Sequence, residues 1–127
     1  AYKCRYRQDK GGRVSVDYSA IVGYGYVFSQ DAVKYSTLAE RATSVYDTVD
    51  FDPFDYFFKL NAYDRNSDIF VGEVLQEVDY AAPVDIEQLY ENDELPAKLN
   101  SIIEVLNLDV SKAHRPKPLC YLINYCH

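Results

Sequence analysis

Apolar and polar residues alternate from the start of the chain. Tyr2, Cys4 and Tyr6 interleave with Lys3, Arg5 and Arg7, a period of two that predicts a strand with one apolar and one basic face. Gln8 to Gly12 supplies turn residues, and Val14, Val16 and Tyr18 resume the alternation, so a β-hairpin around Gly11-Gly12 is expected. From Ala20 to Phe28 the run is almost wholly apolar, broken by Gly23 and Gly25. It reads as a central strand with a bulge, or as a second turn followed by a third strand.

The period then lengthens. Ser29 is suited to cap a helix, with Asp31 in its first turn. Tyr35, Leu38, Ala39, Ala42, Val45, Tyr46 and Val49 recur at steps of three and four, which predicts an amphipathic helix of four or five turns. Asp52-Pro53 predicts a restart, a short helix holding Phe54, Phe57, Phe58 and Leu60. The polar stretch from Asn61 to Asp68 reads as a loop. Ile69 to Val78 is a strand, and its imperfect alternation places it inside a sheet rather than at an edge. Asp85 to Asn92 is a short acidic helix after Pro83. Pro96 opens a further helix carrying Leu99, Ile102, Ile103 and Leu106, which ends near Asn107. Lys112 to Pro118 is a basic loop bearing prolines, and Leu119 to Cys126 returns to strand.

The order ββ(β)ααβααβ predicts an α+β fold: a mostly antiparallel sheet with about four helices packed on one face. No repeat or linker divides the chain, so residues 1–127 are expected to form one domain. At 127 residues, 48% hydrophobic and 15% aromatic, the chain is too apolar for intrinsic disorder. No apolar run approaches the roughly 20 residues of a membrane span, and Ala1 to Arg5 lacks a signal-peptide pattern. Cys4, Cys120 and Cys126 make an odd count, read as free thiols that pack as small hydrophobes. These features lead to the expectation of a cytoplasmic protein.

Charge changes the picture more than composition does. The net charge is -7, which argues against direct binding of nucleic acid or an anionic membrane. That figure averages opposite regions. Residues 1–13 carry Lys3, Arg5, Arg7, Lys10 and Arg13 against Asp9, a net of +4. Residues 109–127 carry a net of +2, and the middle carries -13. Within the middle, Asp47, Asp50, Asp52 and Asp55 span the junction between the first two helices, and Glu87, Glu91, Asp93 and Glu94 sit on or after the third. Glu73, Glu77 and Asp79 form a third group beside the strand at Ile69–Val78. Carboxylates four apart on a helix are spaced much like successive phosphates, so such a surface can imitate a nucleic-acid backbone. Tyr46, Phe51, Phe54, Tyr56, Phe57, Tyr80 and Tyr90 lie among these acids and supply candidate anchors.

The chain offers little for catalysis. Gly23-Tyr24-Gly25 lacks the third glycine of a dinucleotide loop, and no phosphate-binding loop, nucleophile elbow or zinc-protease motif is present. Asp50 to Asp55 lacks the glycine and distal glutamate of a calcium loop, and the Cys120, Cys126 and His127 tail lacks zinc spacing. The sequence therefore reads as a binding protein without cofactor or metal. Its expected partner is a protein with a basic, nucleic-acid-binding surface, which it would inhibit as a DNA mimic of the anti-defence type found in phages or mobile elements. A second reading places a phosphate-bearing ligand such as a nucleotide on Arg5, Arg7 and Arg13. A third is a structural subunit that self-associates, as a homodimer, through its tyrosine-rich faces.

Overall fold

The computed structural model describes residues 18–78, 83–85, 87 and 93–126. Four strands, β1 (Tyr18–Phe28), β2 (Phe57–Lys59), β3 (Ile69–Val78) and β4 (Leu119–Cys126), form an antiparallel sheet in the order β2-β3-β1-β4. Among the described residues there are two α-helices, α1 (Tyr35–Val45) and α2 (Glu94–Val105), and two 3-10 turns at Pro53–Tyr56 and Val110–Lys112. The α+β class is as expected, and β3 and β4 have the expected bounds. β3 lies inside the sheet, between β2 and β1. The hairpin expected before Tyr18 lies outside the described residues, as does most of the helix expected at 85–92.

Both helices cover the same face. Leu38 and Ala42 of α1 and Leu99 and Ile102 of α2, followed by Leu106, pack on Tyr26 and Phe28 of β1, Ile69 and Val71 of β3 and Phe57 of β2. Arg41 ties the helices together: its Nη1 donates to the carbonyls of Leu106 (3.0 Å) and Asn107 (2.9 Å) at the end of α2. A cation there meets the negative end of the helix dipole.

The helix count is corrected from about four to two among the described residues. The segment after Asp52 makes one 3-10 turn and then enters β2, because Phe57 and Phe58 point to opposite faces and each finds a hydrophobic cluster. Adjacent aromatics satisfy a strand between two clusters at least as well as one stripe of a helix. Ser29 is not a cap. Its carbonyl accepts from Ala32 and Val33 in a turn, and α1 begins later, after Lys34. The helix also stops at Val45, not Val49. Thr43 and Ser44 turn their hydroxyls back onto the carbonyls of Ala39 and Glu40, and Thr48 onto Val45, which competes with continued helix.

The opposite face of the sheet closes on itself. Ile21, Val27, Phe70 and Ile123 are buried there, with Phe58, Leu60, Tyr121 and Tyr125 packed against them. Phe58 of β2 and Tyr125 of β4 belong to opposite edges of the sheet, yet their ring centroids lie 4.9 Å apart. Just beyond β2, Cys126 N–H donates to the Leu60 carbonyl (3.3 Å) and Ala62 N–H donates to the Cys126 carbonyl (3.0 Å). The sheet is thus curled far enough for one edge to bond the other. Gly25 and Gly72 face each other across β1 and β3, and a Cβ on either would lie 2.1 Å from a backbone oxygen of the other strand. This close crossing requires glycine on both strands. A register shift at Val22/Gly23 adds the bulge, and the Phe70 ring occupies the space above Gly23. The bulged single strand is therefore the correct one of the two readings of Ala20–Phe28.

The Asn61–Ser67 loop supports that closure. Asn61 and Ser67 are buried polar residues with partners. Asn61 N–H donates to Ser67 Oγ, and Asn61 Oδ1 accepts from Tyr63 N–H. Gln30 Nε2 donates to the carbonyls of Arg65 and Ser67, while its Oε1 accepts from Tyr35 N–H at the start of α1. Cys126 is disulfide-bonded, and Cys120 is a free thiol. The reading of three free thiols is corrected at Cys126.

Candidate functional site

The acids from Asp47 to Asp55 occupy the connection between α1 and β2, not a helix face. Helical spacing of carboxylates does not apply to them, since α1 ends at Val45 and the chain continues in turn and 3-10 structure. Asp47, Asp50 and Asp55 are exposed. Asp52 plays a structural part, because its Oδ1 accepts from Phe54 N–H at 2.9 Å, with Pro53 buried at the first position of the turn. None of these four carboxylates has a cation within ion-pair distance among the described residues.

Aromatic rings hold this segment in place. Phe51 and Tyr56 meet edge to face at 5.2 Å and are half-buried. Lys98, one turn into α2, places its Nζ 4.2 Å from the Phe51 centroid and 5.1 Å from that of Tyr56. This cation lies over rings of the acidic segment. Phe54 packs 5.7 Å from the buried Phe57 and 6.5 Å from Tyr46. Tyr46 is 50% exposed and Phe54 40% exposed, so this pair presents an apolar patch to solvent between the aspartates.

Lys98 also links this segment to the second acidic group. Glu73 stands opposite Tyr24 on β1, and burial pushes its carboxyl above the usual range, with Lys98 opposing that shift and Glu94 adding to it. The start of α2, with exposed Asp93 and Glu94, thus lies on the same side of the molecule as Phe51 and Tyr56. Glu87 is exposed, and Glu91 lies outside the described residues. Arg5, Arg7 and Arg13, the alternative ligand site, lie outside them too. Lys98 was not singled out from the sequence. Its signal was the lone basic residue between Asp93 and Glu104, placed one turn after Glu94.

Comparison of the chain with protein-family models, curated proteins and solved structures finds no match. Among the described residues no helix is long and apolar enough to cross a membrane.

Proposed function

We propose that this chain is a non-catalytic binding protein that docks its acidic, aromatic-centred edge onto a basic surface of another protein. A nucleic-acid-binding surface fits best, and occupying it would inhibit the partner. The reading rests on the exposed Tyr46–Phe54 pair set among Asp47, Asp50 and Asp55, carboxylates without a cation partner among the described residues. An apolar aromatic centre with a charged surround is the usual anatomy of a protein interface. Unpaired surface charge steers a cationic partner and speeds its association. Asp93 and Glu94, on the same side, extend the negative field.

The disulfide at Cys126 favours an oxidising compartment over the cytosol, and the partner is to be sought accordingly. The test is capture of a binding protein by the wild-type chain, repeated with duplex DNA as competitor, with raised salt, and with the Asp47→Asn/Asp50→Asn/Asp55→Asn triple variant. Release by DNA and by salt, with loss of capture in the variant, is expected. Capture that persists through all three would overturn the reading. Tyr46→Ala/Phe54→Ala should weaken binding without changing its salt dependence.

A further inference from the structure

The concave face of the sheet holds a recess of about 160 Å³ lined by Val27, Leu60, Tyr121, Leu122, Ile123 and Asn124. The Leu122 side chain points the other way and is 80% exposed, as alternation with Tyr121 and Ile123 requires. Apolar cavities of about 150 Å³ take a benzene-sized molecule. This recess differs from an oily void in one respect. The Tyr121 hydroxyl is buried and makes no hydrogen bond among the described residues, whereas buried polar groups are almost always paired.

The basic loop reaches the same part of the sheet. His114 N–H donates to the carbonyl of Val27 at 2.8 Å, which brings the basic loop to a residue that lines the recess and sets Arg115 next in line. His114 itself is engaged by Asp68, with Nε2 3.6 Å from the carboxylate. Arg115 is exposed and has no carboxylate within ion-pair distance among the described residues. Its charge is felt at Tyr121: burial raises the phenol above its usual range, and Arg115 opposes that rise.

We propose that the recess is a binding site for a small apolar carboxylic acid. The hydrocarbon body would fill the space between Val27, Leu60 and Ile123, and the carboxylate would accept from the Tyr121 hydroxyl and pair with Arg115. An apolar pocket with a few convergent polar groups is the usual form of a small-molecule site. A carboxylate accepts from both a hydroxyl and a guanidinium, and its single charge suits a recess that is otherwise apolar.

The test titrates the full chain with benzoate, following amide shifts by NMR and thermal unfolding. Benzyl alcohol serves as the neutral analogue and acetate as the carboxylate without a body. Benzoate is expected to bind saturably, to raise the unfolding temperature and to shift the amides of Val27 and Ile123, with both controls weaker. Tyr121→Phe keeps the ring and should weaken benzoate on the order of tenfold. Arg115→Ala, at an exposed position, should weaken it while leaving unfolding of the free protein unchanged. Absence of saturable binding, benzyl alcohol binding as tightly as benzoate, or both variants binding like wild type would each overturn the proposal.

Discussion

On one face of the sheet Leu38, Ala42, Leu99 and Ile102 arrive on two helices. On the other, no described helix contributes, and Ile21, Val27, Phe70 and Ile123 are buried by the curvature of the strands themselves. The two cores differ in chemistry as well as in cover. The helix side sets aliphatic residues of the helices against the strand rings Tyr26, Phe28 and Phe57. The concave side is a set of rings, Phe58, Phe70, Tyr121 and Tyr125, each touching at least one other across strands. Among the described residues, the sheet thus buries side chains on both faces with helices on only one, and its glycines let it bend. The helix side relies on supplied elements and the concave side on backbone geometry.

The largest effect should come from removing that geometry. Gly25→Val places a branched side chain where a Cβ already meets the backbone of β3 at 2.1 Å, so we expect a chain that does not reach the native fold. Loss of dispersed amide signals in NMR would report it. A native spectrum would mean that the strands do not cross as closely as described.

A smaller effect compares the two cores directly. Phe70→Ala and Leu99→Ala each remove a fully buried side chain, one from each face. Such truncations cost about 3–5 kcal/mol for Phe and about 2–5 kcal/mol for Leu. Both should lower the midpoint of denaturant unfolding, Phe70→Ala by at least as much. If Phe70→Ala were nearly silent, the concave face would not be a core at all.

The smallest effect lies at the margin of the helix side. Burial raises the Glu73 carboxyl above its ordinary range, so the folded chain holds this proton more tightly than the unfolded chain does. Stability is then lost as pH rises through that range, when Glu73 must ionise in the fold. Glu73→Gln removes this penalty. The variant should unfold at slightly higher temperature than wild type at neutral pH, and the gap should close as pH falls below the carboxylate range. A gap that widened in acid would reverse the sign of the argument.

Much of the sheet was legible in the sequence, for a physical reason. β3 and β4 are runs of residues with strand propensity bounded by turn residues, and that composition outweighs their imperfect alternation. α2 was legible from Leu99, Ile102 and Leu106, although it starts at Glu94, two residues before Pro96, since proline is tolerated within the first turn. Phe57 and Phe58 misled because a pair of adjacent aromatics carries no period, and only the presence of a core on both faces decides for strand. Ser29 misled because a capping residue and a turn residue have the same chemistry. The glycines at 23, 25 and 72 were visible as interruptions. Their meaning required the register that sets 25 against 72. Of the candidate site, the aspartates were legible by position. The exposure of Tyr46 and Phe54 and the lysine held over Phe51 were not, because they depend on how α2 packs against a loop more than forty positions earlier in the chain.

The bonds between Cys126 and the Leu60–Ala62 segment also govern when this protein can fold. β1 is encoded early and its neighbour β4 late, so the central strand lacks one of its two partners until nearly all of the described chain has been made. Pairings this distant in sequence form slowly, because a long loop must be ordered before any contact rewards it. During synthesis the aromatic interior of the curl stands open with an unpaired strand edge beside it, the condition in which nascent chains aggregate. The emergence of a single late strand is what ends that exposure, which makes β4 the timing element of the whole fold.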